Sequence, residues 1–272
     1  MVAKVGVTAL PASPGARGNT VVRWLRGWWQ LVHFAAQIGV LVVSPSSYRR
    51  SQRQRIAHGV YQATAPLLPG FTVLAALVAL VVIRIVLATS LSYGLSRYAL
   101  DVLIRTLVLE LIPLSAALFV AVRYSLTAGD VVRRMRLEGR FETQLAAGHD
   151  PTRDEVLPRA LAGMFAVATL ALVSGAVTLV LAYLSVYGFA SWGLPGFTRT
   201  VGQVIDPVIA LIFTLKTFFL SLAVAIVPMV ATPRELARGR GESRAEGELT
   251  RLARLLALVL LIEVAALVGN YY

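Results

Sequence analysis

Five stretches of this 272-residue chain, roughly residues 71–94, 99–122, 160–187, 204–231 and 252–270, are long runs of apolar side chains with few charges. A helix needs about 20 such residues to cross the hydrocarbon of a bilayer. Nothing in that medium can hydrogen-bond an exposed peptide group, so a crossing segment must satisfy its own backbone. The runs do not alternate apolar with polar residues, which a barrel strand would require, so helices remain. Composition agrees: 57% of residues are hydrophobic and 15% charged, against about 45–50% and about 25% in soluble domains.

The basic residues orient the spans. Residues 1–70 hold eight lysines and arginines, the 123–159 connector seven and the 232–254 connector six. The 95–98 connector holds Arg97 alone, the 188–203 connector Arg199 alone, and the chain after 254 none. Connectors on the cytoplasmic side collect positive charge. The expected topology places the amino terminus inside and the carboxyl terminus outside, with Tyr271 and Tyr272 as interfacial anchors. A net charge of +12 would also suit a nucleic-acid binder, but such proteins concentrate charge on a polar domain, and none is present. Cysteine is absent and the three histidines are scattered. Disulfides and thiol catalysis are excluded, and no metal-binding spacing occurs.

Residues 1–19, rich in Gly, Pro, Ala and Ser, read as a flexible tail with no secretory signal. Residues 20–70 read as an interfacial helix and its connector. In "RWLRGWWQLVHFAAQ", Arg23, Arg26, Gln30, His33 and Gln37 follow spacings of three and four, one polar stripe among tryptophans. That pattern suits a helix lying in the inner interface; a sixth span is the other reading, and it would break the charge pattern. Residues 71–272 form the five-helix membrane domain. Within the 123–159 connector, good helix formers from about 129 to 147, stopped by Gly148, predict a helix outside the bilayer. Asp150-Pro151 reads as a turn or the start of a further short helix, and Pro158 suits the first turn of the third span.

Several ionisable residues fall inside the apolar runs. Glu110 lies thirteen residues from both Arg97 and Arg123, near mid-depth at about 1.5 Å per residue. Lys216, Arg84 and Glu263 fall near the middles of their own spans. Each such charge costs at least about 2.5–3.5 kcal/mol unless it faces protein or water. Glu110 is therefore expected to approach Lys216 or Arg84 inside the bundle. Pro113 cannot donate to the carbonyl of Leu109, and a kink there should leave that carbonyl facing the same interior and widen a cavity. The set serves a lipid pathway or simply holds the helices in register. Ala171, Gly175 and Ala176 are expected to permit close packing of the third span.

The segments "ELIPLSAALFVAVR", "LTAGD", "ETQLAAGHDP" and "VLPR" together resemble the MlaE or YrbE permease family. The positions carrying the resemblance are Glu110, Leu111, Pro113, Ala116, Ala117, Leu118, Arg123, Glu142, Gln144, Leu145, Asp150, Pro151, Pro158 and Arg159. Weaker similarity extends upstream through "RQRIAHGVYQATAPLLP" and downstream to Lys216. Leu109 stands where the family has an arginine and Ile112 where it has a glycine; "RGRGESRAEGELTRLARL" replaces its glycine-rich segment before the last span. The resemblance implies the membrane subunit of an ABC-type lipid transporter in a bacterial inner membrane, working as a homodimer. It implies a coupling helix in the 123–159 connector that docks onto a separate ATPase, an MCE-type lipid carrier on the outer side and, in some members, a STAS-type accessory subunit. Arg133, Arg134, Arg136, Arg140, Glu142, Gln144, Leu145 and Asp150 would belong to that coupling loop. For the arginines Arg133, Arg134, Arg136 and Arg140, a generic inner-leaflet charge patch is the commoner explanation.

No Walker A loop is present: the only lysines, Lys4 and Lys216, follow Ala3 and Leu215, so phosphates cannot be held in that way. No cofactor motif, catalytic constellation or metal site is expected. A self-contained ion-coupled transporter using Glu110, Lys216 and Glu263 is the alternative, though five spans offer no obvious inverted repeat. A lipid-modifying enzyme would need clustered carboxylates, histidines or a nucleophile near an interface, and the sequence offers none.

Overall fold

A computed structural model describes residues 50–230 and 244–271, together with Trp29 and His33. The expected tail over 1–19 and most of the expected in-plane helix lie outside the described residues; Trp29 and His33 are both helical and exposed. The described residues are almost entirely helical, without a strand. The helices are α1 (Arg50–Thr64), α2 (Leu67–Ser92), α3 (Ser96–Leu103), α4 (Ile112–Val120), α5 (Leu126–Leu137), α6 (Arg140–Ala146), α7 (Leu157–Tyr187), α8 (Leu194–Val204), α9 (Pro207–Ile226) and α10 (Arg244–Tyr271). Five helical stretches are long and apolar enough to cross a membrane: Ile56–Ser92, Tyr98–Leu137, Thr152–Tyr187, Pro207–Met229 and Leu249–Asn270. They match the five expected spans in number and order.

The first three are longer than their apolar runs. The first begins within α1, because the Ala65-Pro66 joint interrupts the helix only locally and Ala65 still donates to Tyr61 at 2.9 Å. The second is one continuous rod in which two π-helical turns, Ile104–Leu111 and Ala121–Ser125, separate α3, α4 and α5. Each such turn closes i→i+5 hydrogen bonds and re-aims the side chains beyond it. α5 therefore grows directly out of the second span. The expected single helix over 129–147 is in fact two, because Gly139 adopts φ 71° and ends one helix before α6 begins. Gly148 (φ 78°) then stops α6 where the sequence placed the stop.

Local chemistry marks the other ends. Asp150 Oδ1 accepts from Thr152 N at 3.0 Å and opens the turn that feeds α7, with Pro158 in its first turn. Asp206 Oδ1 accepts from Ile209 N at 2.7 Å, capping α9 just before Pro207, a pairing that suits a helix start. The 188–203 connector contains the short helix α8, whose Phe197 packs edge-on against Tyr183 with ring centres 5.2 Å apart.

The third span is the axis of the bundle. Its Ala166, Val167, Leu170 and Ala171 meet Phe71, Ala116, Ala117, Val120, Leu220, Val224, Leu255 and Val259 from the other four spans. Small side chains at these meetings let backbones approach, which matters in lipid because burying hydrocarbon between helices gains little there. Ala171 and Gly175 take that role, and a β-carbon on Gly175 would lie 3.7 Å from Val108. Ala176, expected beside them, faces outward. The tightest approach lies elsewhere. A β-carbon on Gly129 would sit 2.8 Å from the Pro228 carbonyl carbon and closer still to its oxygen. Gly129→Ala should therefore destabilise by about 1–3 kcal/mol, the usual cost of overpacking. Gly70→Ala, which meets nothing within 4 Å, should be neutral or stabilising by up to about 1 kcal/mol. Thermal denaturation of the two variants in detergent checks the contrast.

Candidate functional site

Lys216 lies on α9 and its side chain is only 2% exposed. An ammonium has three N–H donors, and all three are engaged. One reaches Glu110 Oε2, a second Glu263 Oε1 at 2.7 Å, and the third the backbone carbonyl of Leu109 at 3.2 Å. The last contact follows from sequence. Pro113 stands four residues after Leu109 and has no N–H, so the carbonyl is free to accept from a side chain. The π-helical turn that ends at Leu111 leads into the same proline. Glu110 Oε1 accepts from Asn270 Nδ2 at 3.3 Å. Three spans thus converge on one cation: the second through Glu110 and Leu109, the fourth through Lys216, the fifth through Glu263 and Asn270.

The structure brings Glu110, Lys216, Glu263 and Pro113 together as the sequence suggested. Arg84 does not join them: it is exposed on the first span and makes no ion pair with them among the described residues. The site therefore holds two carboxylates for one ammonium, and two buried acceptors, Glu263 Oε2 and Asn270 Oδ1, lack a partner among the described residues. Nor does Pro113 open a wide space. The adjoining cavity, lined by Leu109, Glu110, Ile209, Ile212, Phe213, Lys216, Ala266 and Asn270, measures about 10 Å³, room for one water at most. Lys216 fills the gap that Pro113 creates.

The expected coupling-loop residues lie on α5, α6 and the turn after them. The guanidinium of Arg136 stacks on Phe141, 5.1 Å from the ring centre, and Arg140 pairs with Glu138 at 3.0 Å. Arg134, Glu142 and Leu145 are exposed, Arg133 and Gln144 half-buried, and Asp150 caps the following turn. Sequence reasoning missed a second buried pair. Arg251 Nη1, on a side chain 4% exposed, donates to Asp130 Oδ1 at 3.0 Å. Its signal was present, since Arg251, Leu255, Val259 and Glu263 recur every four residues on one helical stripe. Asn270, seven residues beyond Glu263, was legible in the same way. Among the described residues, no three His, Asp or Glu side chains gather as a metal would require.

Removing the cation should be costly, because it leaves two buried carboxylates uncompensated. Lys216→Met is expected to destabilise by about 3–5 kcal/mol, while the triple variant E110Q/K216M/E263Q should recover much of that loss. Arg84→Met should not destabilise, because it breaks no ion pair of the cluster and removes a charge from an apolar run. Thermal denaturation in detergent, run on all three, measures the ordering.

A family model described as "Permease MlaE" matches residues 56–268. No curated protein matches the chain significantly. The match takes in more than three quarters of the chain and almost all of the five spans, with Glu110, Lys216 and Glu263, the Asp130–Arg251 pair and the arginine-bearing connector within it. This multi-pass membrane protein belongs to the MlaE permease family.

Proposed function

We propose that the chain is the membrane subunit of an ABC-type lipid transporter, moving phospholipid-like molecules between the inner membrane and an MCE-type carrier. The single observation that carries this reading is the family match across the five spans. ATP is hydrolysed by a separate subunit, since the sequence has no loop to hold its phosphates. The protein works as a homodimer with its arginine-rich connectors facing the cytoplasm, in accord with their positive charge. In that orientation the connector carrying α5 and α6 meets the ATPase. The exposed Arg134 and Leu145 supply charge and apolar contact there. A STAS-type subunit is a further partner that some relatives use.

The closed state of the Lys216 cluster gives the transport step a chemical form. A lipid phosphate is an anion that can replace Glu110 or Glu263 as a partner of the ammonium. The present cavity is far too small for a head group, so entry of lipid requires the three converging spans to part. Parting exposes charges that the closed state neutralises, and work from an external motor offsets that cost.

Isolation from native membranes in mild detergent, with mass spectrometry of bound proteins and lipids, tests the proposal. A bound ATPase subunit, a bound glycerophospholipid and ATP-dependent lipid transfer after reconstitution are the expected results. Lys216→Met should abolish transfer while leaving the ATPase bound. Lipid or ion movement by this chain alone, driven by a proton gradient and indifferent to ATP, would overturn the reading in favour of an ion-coupled carrier.

A further inference from the structure

Very little hydrocarbon holds the last span to the bundle. Between Leu249 and Asn270 the buried side chains are Arg251, Leu255, Val259 and Glu263. They form one stripe with an ion pair at each end: Arg251 to Asp130 at 3.0 Å and Glu263 to Lys216 at 2.7 Å. Leu256, Leu260, Leu261, Val264 and Val268 point outward. In lipid such side chains gain little by turning inward, so the position of α10 is set chiefly by its two charged ends. Those ends are twelve residues apart, about 18 Å along the helix. No glycine or proline lies between them, and α10 runs through this region without a break.

The partner of Arg251 sits on a helix that is itself tightly held. Gly129, beside Asp130, lies against the backbone of Pro228 with no room for a β-carbon, and Val132 is fully buried. α5 therefore has a close steric contact with the end of the fourth span and a charged contact with the fifth. The covalent route from α5 back to Glu110 is different in kind. It passes the π-helical turn at Ala121–Ser125 and then Pro113, both features that interrupt a regular helix and let it bend.

We propose that α10 is a lever between α5 and the Lys216 cluster, with Asp130 and Arg251 as the positioning residues at its joint. A shift of α5 moves Arg251, and the unbroken helix carries that movement to Glu263, changing its hold on Lys216. The origin of the force rests on the reading that an external ATPase acts on the connector; the linkage itself belongs to this chain alone.

The absence of cysteine allows a direct test, because one introduced thiol is unique. Ala266 lines the small cavity beside Lys216, so the rate at which a water-soluble maleimide modifies the A266C protein in liposomes reports the local position of α10. Asp130→Ala and Arg251→Met, each made in the A266C protein, are expected to change that rate by about tenfold. That factor corresponds to about 1.4 kcal/mol, the scale of a charge-assisted hydrogen bond. The reversed pair D130R/R251D should return the rate toward the parent value, and Glu263→Gln should shift it in the same direction as the two single changes. Arg105→Gln, which removes a partly exposed pair with Asp101 within the second span, should leave it unchanged.

An unchanged rate in Asp130→Ala overturns the lever, as does a reversed pair that fails to restore it. If Arg251→Met does not reach the membrane, Asp130→Ala decides alone. Because these measurements use the chain without an ATPase, they separate the two proposals. Altered labelling with no ATPase in the purified complex retains the lever and removes the transporter reading. ATP-driven transfer with unaltered labelling does the reverse.

Discussion

A lysine ammonium buried among five apolar helices is the constraint on which the rest of this structure depends. Isolated in hydrocarbon, Lys216 would be one of the most expensive groups a chain can carry. It is tolerated because each of its three N–H groups meets an oxygen, two of them anionic. Those oxygens come from the second and fifth spans, so neutralising one charge also specifies which helices lie next to the fourth. Hydrocarbon packing alone could not do this, since apolar side chains in lipid are nearly indifferent to whether they touch protein or acyl chain.

The second span shows how local sequence prepares that arrangement. A proline inside a helix ordinarily leaves a carbonyl without its donor, and here Pro113 leaves that of Leu109. Lys216 supplies the missing hydrogen bond from another helix, turning a local defect into a long-range contact. The same span then passes through a further π-helical turn and continues as α5. One helix thus carries both an acid of the buried cluster and, through α5, the start of the arginine-bearing connector. The fifth span joins the same two regions by an unbroken helix, with a charged side chain at either end of a narrow buried stripe.

The bundle is therefore held in two distinct ways. Around the third span, alanines and glycines permit close backbone approach, and dispersion between well-matched surfaces supplies the stability. Around the fifth span, burial is confined to a narrow stripe and charged pairs provide the specificity. A helix fixed mainly at two polar points can reposition when either pair is disturbed, whereas the interlocked third span cannot. In the proposed lever the third span is the scaffold and the fifth the moving part.

Much of the fold was legible from the sequence. The number and order of spans follow from backbone hydrogen bonding in hydrocarbon, which any apolar run of sufficient length must obey. Glu110, Lys216, Glu263 and Pro113 stood out for the same reason, because an ionisable group or helix breaker in such a run demands compensation. Gly148 stopped its helix as expected; Gly139 was missed because a glycine between good helix formers signals a break only when its backbone turns left-handed. What the sequence by itself determined, then, is which segments enter the bilayer and which side chains need partners there. Only the tertiary structure decided who those partners are: Lys216 chose both acids and the Leu109 carbonyl, Arg84 stayed outside, and Asp130 met Arg251 across 121 residues of chain. The physical reason is that solvation cost is a property of each residue in its own span. Pairing depends on how helices rotate and cross, and only the assembled bundle sets those angles.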